Sequence, residues 1–254
     1  MSSDYSSFFT NKRVIVTGAG RGIGRQLSLT LSKYGAHVIA ISKTEPALAT
    51  LRDETTEIKT YCQDIRDWDT MRALLKEIGP VDMLVNNAFS NVQSAVLDFT
   101  EEHFDSIMET NVKAPFNITQ VVTADMVANG IEGSVVNLSS IAGMRAFMNM
   151  GLYCTSKAAL DMMTKSFALE LGCKKIRVNS VSPTVVKTEA GMDYMNKYPG
   201  LRDDFLASIP AKRLVEIEEV VDLVVFLLSD RARMINGSTI PIDGGNTVHC
   251  MRLE

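Results

Sequence analysis

The stretch T-G-A-G-R-G-I-G, residues 17–24, decides how the rest of the chain is read. It follows an apolar run at residues 14–17 and leads directly into a helical pattern at 22–34, so its glycines sit in a strand-to-helix turn. Gly18, Gly22 and Gly24 let such a turn adopt backbone conformations closed to other residues. They also bring N–H groups, that of Ile23 among them, toward a pyrophosphate and let the helix pack close to the strand. A strand before and a helix after is the context that separates a phosphate loop from a chance cluster of glycines.

Working outward, short apolar runs recur at residues 38–41, 59–62, 81–86, 134–138, 176–181 and 239–242. They are continuous rather than alternating, which suits strands covered on both faces, and most of the segments between them carry helical periodicity. The pattern predicts a single-domain α/β fold: a Rossmann-type, doubly wound parallel sheet with helices on both faces. Longer helices are expected at 22–34, 101–129, 152–171 and 216–228, with Pro115 kinking or locally adjusting the second of them. The least patterned segment, 184–213, combines Gly191, Pro199, Gly200 and Pro210 with Met192, Tyr194, Met195, Tyr198 and Phe205. It reads equally as a lid over a pocket and as a surface excursion packing its own aromatics.

Composition narrows the function. The 254 residues are 46% hydrophobic and 22% charged, with a net charge of -4, which lacks the basic excess that nucleic-acid binding requires. The opening M-S-S-D-Y-S-S-F-F-T-N-K has no basic start and no apolar core, and the run at 220–228 is short and broken by Asp222. Neither secretion nor membrane spanning is expected, and a cytoplasmic setting is. Cys62, Cys154, Cys173 and Cys250 are far apart and form no C-x-x-C pair, so free thiols are the expectation. His37, His103 and His249 share no metal-ligand spacing, and no metal is assigned.

The second strand ends in V-I-A-I-S-K-T, residues 38–44. An acid there would hold the adenine ribose hydroxyls of NAD; Ser42, Lys43 and Thr44 instead offer a cation and hydroxyls, as a 2′-phosphate requires. Arg21 in the glycine loop can reach the same phosphate. The expected cofactor is therefore NADP. Asp64 and Ile65 follow the third strand where adenine would lie, and Asn86, Asn87 and Ala88 end the fourth where the dinucleotide would cross.

Chemistry is carried by N-L-S-S, residues 137–140, at a strand end, and G-L-Y-C-T-S-K, residues 151–157, at a helix start. Tyr153 and Lys157 are four apart and share a helical face. The Lys157 ammonium is expected to lower the phenol pKa, and Ser140 to hold a substrate carbonyl.

These motifs, in this order from residue 12 to 246, resemble those of the short-chain dehydrogenases/reductases. The resemblance implies a catalytic tetrad of Asn111, Ser140, Tyr153 and Lys157. The family's serine-to-tyrosine spacing selects Ser140 over Ser139, and the Asn111 carbonyl is implied to hold a water linked to Lys157. It also implies that the backbone of P-T-V-V-K-T, with Pro183, Val186 and Thr188, binds the nicotinamide carboxamide, although the family more commonly has P-G there. Phe89 departs from the glycine that usually follows N-N-A.

Within the family, G-P-V-D-M-L-V-N-N-A, Y-C-T-S-K-A-A-L-D-M-M-T-K and P-T-V-V-K-T are similar to segments of the tetrameric dicarbonyl and L-xylulose reductases. The implied activity is NADPH-dependent reduction of L-xylulose to xylitol and of small α-dicarbonyls, by a homotetramer. The stretch at 141–150 is apolar for a sugar site, with Asn149, Arg145 and polar groups of the 184–213 segment as the candidates for holding substrate hydroxyls. Alternatives are a reductase of a steroid ketone or 3-oxoacyl thioester, and a non-catalytic NADP-binding redox sensor.

Overall fold

Each strand of the core sends alternate side chains to opposite faces, and both faces are covered. The computed structural model describes residues 5–197 and 200–248; Tyr198, Pro199, His249 and Cys250 lie outside them. The strands are β1 (Arg13–Thr17), β2 (His37–Ser42), β3 (Lys59–Cys62), β4 (Met83–Asn86), β5 (Ser134–Leu138), β6 (Arg177–Pro183) and β7 (Thr239–Ile242). They pair in the order β3-β2-β1-β4-β5-β6-β7, every pair parallel. The predicted sheet is thus present.

Val14 and Val16 of β1, Val85 of β4 and Val136 of β5 join a core with Leu27, Leu31, Val220 and Val224. Ile15, Leu84 and Val135 point the other way, toward Met71, Leu75, Ile118 and Val122. Fully burying one such aliphatic side chain contributes roughly 1.5–3 kcal/mol, so continuous apolar strands follow from having two covered faces.

After the one-turn α1 (Ser6–Phe9), the helices of the two layers are α2 (Gly22–Lys33), α3 (Glu45–Glu54), α4 (Trp68–Ile78), α5 (Glu101–Met108), α6 (Ala114–Ala128) and α7 (Gly151–Leu171). They are followed by α8 (Glu189–Asn196), α9 (Leu201–Ser208) and α10 (Ile217–Leu228). Among them, α3 and α4 are shorter elements that the long-helix reading passed over, although Asp67 caps α4 by accepting from the Thr70 N–H at 3.1 Å.

The helix expected over 101–129 is interrupted by a π turn at Glu109–Lys113, where the Ala114 N–H reaches back to the Glu109 carbonyl. Pro115 has no N–H to offer the Asn111 carbonyl in an ordinary helical ladder, and the wider turn absorbs that defect. The adjustment falls on the residue singled out for function.

Because the chain runs from β1 outward to β3 and then returns to β4 on the other side, the connections diverge between β1 and β4. A crevice opens there beyond the carboxyl ends of the strands. Among the described residues, no helix is long and apolar enough to cross a membrane.

One long-range clamp seats α10 against the sheet. The Arg177 guanidinium donates to the carbonyls of Leu227, Leu228 and Ser229 at 2.7, 3.3 and 3.0 Å, satisfying groups that a helix end leaves without partners. Replacing Arg177 with Met should lower unfolding stability by about 2–3 kcal/mol in urea denaturation, as expected for losing charge-assisted hydrogen bonds. A loss below about 0.5 kcal/mol would show that the clamp is dispensable.

Candidate active site and cofactor crevice

A single crevice of about 1040 Å³ runs over the strand ends and is lined by residues from both halves of the sheet. At its β1 end Gly18 has a φ of +65°, open to glycine at little cost, while Gly24 is buried beneath the loop. A Cβ on Gly24 would collide with the Gly18 carbonyl and the Asn87 amide, so α2 can start this close to β1 only with glycine there. Asn87 fastens the turn: its amide donates to the carbonyls of Thr17 and Gly18 at 2.9 and 3.1 Å, and its own N–H to the Thr17 hydroxyl at 3.0 Å. The result is a glycine-lined cradle with the N-terminus of α2 aimed into the crevice, which fits a pyrophosphate.

Gly18, Arg21, Gly22, Ile23, Ser42, Lys43, Thr44, Asp64, Ile65, Asn87 and Ala88 all line the crevice, as do Pro183, Val186 and Thr188 at its far end. Gly24 alone of the expected cofactor residues acts from behind. Neither Arg21 nor Lys43 is engaged in the ion pairs formed around them, whereas Asp64 is paired with Arg66 at 2.7 Å. That guanidinium holds the Asp64 carboxyl below the usual carboxylate range, with Lys43 adding a smaller pull in the same direction. Arg66 and Gln63 also line this end and were not picked out from sequence, though an arginine two residues after the acid was a readable signal. Its pairing compensates the one negative charge that would oppose a phosphate beside Lys43.

At the other end Tyr153, Lys157 and Ser140 face the same crevice. Lys157 is only 2% exposed, and its ammonium donates to the Leu138 carbonyl at 2.7 Å. It sits 5.6 Å from the Tyr153 ring centre and 5.9 Å from that of Phe89. The Ser140 hydroxyl accepts from the Ala142 N–H at 3.1 Å and lies where it favours the ionised form of the Tyr153 hydroxyl.

Burial dominates both ionisations. It pushes Tyr153 up to about 12 against the opposing pull of the Ser140 hydroxyl, and Lys157 down to about 8 against the charge of Asp161. In the protein by itself, burial therefore sets the phenol pKa above its ordinary value, opposite to the lowering expected from Lys157.

Asn111 is buried, and its side chain is fully committed. Its Oδ1 accepts from the Ser90 N–H at 2.7 Å, and its Nδ2 donates to the Ser90 carbonyl at 2.8 Å and the Ser156 hydroxyl at 2.9 Å. The π turn thus ties the loop after β4 to α7, with the side chain as the clamp.

The wall beyond Tyr153 is less polar than expected for a sugar site. Asn149 is exposed in a left-handed turn with φ of 60°, lies outside the crevice lining, and pairs its carbonyl with the Ser94 N–H at 3.0 Å. An asparagine suits that left-handed backbone. Arg145 is also engaged elsewhere, stacking on Phe147 and donating to the Asn246 carbonyl at 3.1 Å. Lining the crevice instead are Phe89, Phe147, Met150, Tyr194 and Phe205, with Ser90, Asn91 and Gln93 as polar neighbours. The segment at 184–213 contributes much of this wall through α8, while Met195, Ile209 and Leu214 form its own small core.

A family model described as enoyl-(acyl carrier protein) reductase matches residues 18–247. The chain is 45% identical to an L-xylulose reductase of Mesocricetus auratus over 234 residues, covering 92% of this chain and 96% of that one. It is 44% identical to an L-xylulose reductase of Homo sapiens over 238 residues, covering 94% and 97%. The structure also resembles a gluconate 5-dehydrogenase from Burkholderia cenocepacia J2315, solved in complex with NADP and tartrate. That match has a TM-score of 0.90 at 27% identity, over 98% of this chain and 100% of that one.

The chain belongs to the short-chain dehydrogenase/reductase family. For this short-chain dehydrogenase/reductase the crevice poses a direct question about cofactor choice. Lys43→Asp removes a cation from the predicted 2′-phosphate position and places an anion there, so KM for NADPH should rise by at least about tenfold while NADH is relatively favoured. Arg21 and Arg66 should preserve a residual preference. Unchanged Michaelis constants for both dinucleotides would mean that Lys43 only faces solvent.

Proposed function

We propose that the protein is an NADPH-dependent carbonyl reductase acting on small α-dicarbonyls and on L-xylulose. The observation that carries this reading is the joining, in one crevice, of a glycine cradle flanked by unpaired Arg21 and Lys43 with the Ser140, Tyr153 and Lys157 cluster. The identity to L-xylulose reductases supports the substrate class. Gly18, Gly22 and Ile23 would hold the pyrophosphate, Lys43 and Arg21 the 2′-phosphate, and Pro183, Val186 and Thr188 the nicotinamide end. When bound, NADPH supplies the hydride.

The chain's own residues supply the proton. With its pKa pushed up to about 12, Tyr153 keeps its proton throughout the neutral range and can give it to a carbonyl oxygen as that oxygen gains charge. The hydroxyl of Ser140 orients the same oxygen. Lys157, still largely charged at neutral pH, stabilises Tyr153 once its proton has left, and the Asn111 carbonyl offers a route toward solvent. The α8 segment covers the substrate and limits water.

The setting we propose is the cytoplasm, which agrees with Cys62, Cys154 and Cys173 being free. A homotetramer is the proposed assembly. In support, Phe104, Phe116, Met162 and Leu169 are exposed on α5, α6 and α7, with Phe116 and Phe167 in edge contact at 5.4 Å. Light scattering after size exclusion should give four times the chain mass, and a monomer at micromolar concentration would end that assignment.

The decisive assay follows NADPH oxidation with diacetyl, L-xylulose, a steroid ketone and an acetoacetyl thioester. Diacetyl should turn over fastest, with L-xylulose measurably reduced but not greatly favoured, because neither Asn149 nor Arg145 is among the crevice-lining residues that could hold its hydroxyls. Tyr153→Phe should lower kcat by about a hundredfold to ten-thousandfold with NADPH binding nearly intact. Turnover of the thioester or steroid alone would replace the substrate assignment, and a Tyr153→Phe enzyme retaining more than about a tenth of the rate would remove Tyr153 as proton donor.

A further inference from the structure

One helical turn beyond Lys157, a second charge is buried for which the tetrad has no use. Asp161 is 8% exposed and lies on the same face of α7 as Lys157. Near it are the hydroxyls of Ser139, just past β5, and Ser180 on β6, which bond the Lys157 carbonyl at 3.4 Å and the Thr164 hydroxyl at 2.7 Å. The turn at Ile141–Gly143 closes over it so tightly that a Cβ on Gly143 would stand 2.7 Å from Oδ2. Its Oδ1 has no hydrogen-bond partner. An acid kept in so dry a place with an unsatisfied oxygen is destabilising unless a charge of opposite sign compensates it. The candidate charge is the ammonium of Lys157, itself buried and held by the Leu138 carbonyl.

We propose that Asp161 is a positioning residue of the active site, the buried counter-ion that keeps the Lys157 ammonium charged at neutral pH. This rests on the reading that Lys157 serves Tyr153. The surroundings agree with it. On α7, Tyr153 and Lys165 are the other titratable groups near the pair. Among the described residues, the elements packed against it present hydroxyls, backbone and a ring: Ser139, Ser140 and the Leu138 carbonyl at the end of β5, Ser180 from β6, the turn over Gly143, and Phe89 after β4. Burial drives Lys157 toward its neutral form, and Asp161 is the charge that opposes this. Lys165 acts on Asp161 in the same sense as Lys157, both opposing the upward push that burial gives its carboxyl.

The test reads Lys157 directly. In protein carrying ¹³Cε-lysine, the Lys157 resonance is assigned by its loss in Lys157→Met and titrated by NMR; the wild-type midpoint is expected at about 8. Asp161→Asn should lower that midpoint by about one pH unit, the lower end of what a nearby opposite charge produces, because the ammonium is bonded to the Leu138 carbonyl rather than directly to the carboxylate. The alkaline limb of the kcat profile for diacetyl should move with it, while KM for NADPH changes less than about twofold. An unmoved midpoint overturns the proposal even if Asp161→Asn is less stable or slower, because a merely structural acid would not set the charge on Lys157. Should Asp161→Asn fail to fold, Ser139→Ala combined with Ser180→Ala strips the nearby hydroxyls that favour the ionised carboxylate. The midpoint must then fall as well, by a smaller step, or the idea fails. Since the titration needs no turnover, a chain that shifts as expected yet reduces no carbonyl would refute the proposed function and leave the counter-ion intact.

Discussion

The catalytic half of the molecule is arranged around one buried ammonium. Removing such a charge from water costs several kcal/mol, and the fold offsets this with groups drawn from distant parts of the chain. The end of β5 offers the Leu138 carbonyl, α7 offers the Tyr153 ring and the Asp161 carboxylate, and the loop after β4 offers the Phe89 ring. The dryness that makes Lys157 costly also makes the Tyr153 phenolate costly. The two groups, ordinarily close in pKa, are driven apart to about 8 and about 12. A phenol so placed is a proton donor by default, and an ammonium so placed is sensitive to its neighbours.

A second constraint lies beneath the strand ends. The Asn86 amide donates to Thr119 and Asn137 at 2.9 and 2.8 Å, Asn137 to Thr164 at 2.8 Å, and Thr164 shares a 2.7 Å bond with Ser180. This buried polar chain joins β4, β5, β6, α6 and α7 under the crevice. Hydrogen bonds of this kind contribute modestly to net stability but allow few alternative arrangements. They hold the strand ends in register, so Asn87, Ser140 and Tyr153 can face one another across the crevice although they come from separate elements.

The cofactor end works by a different balance. Glycine permits the close approach at α2, and Asn87 locks the loop in place. Charge is then distributed so that Asp64 is spent on Arg66, leaving Lys43 and Arg21 outside any ion pair at the mouth. Phosphate recognition here depends as much on neutralising the nearby acid as on supplying cations.

How much of this was legible from the residues differs by element. Local chemistry determined the glycine turn, the seven strands, the Tyr153–Lys157 face and the break at Pro115, because each depends on neighbours within one or two helical turns or on the two-residue repeat of a strand. The short helices α3 and α4 and the role of Arg66 were weaker signals of the same local kind. Three matters were decided only by tertiary structure. Asn149 lies outside the crevice lining because the packing of the loop at 144–150, not its sequence, decides which of its residues reach the crevice. The pKa of Tyr153 went up rather than down because desolvation is set by atoms distant in the chain, which no spacing of tyrosine and lysine encodes. Asp161 reads in sequence as an ordinary polar residue of a helix, and only the closure of β5, β6 and the Gly143 turn around it makes it a buried acid one helical turn from Lys157.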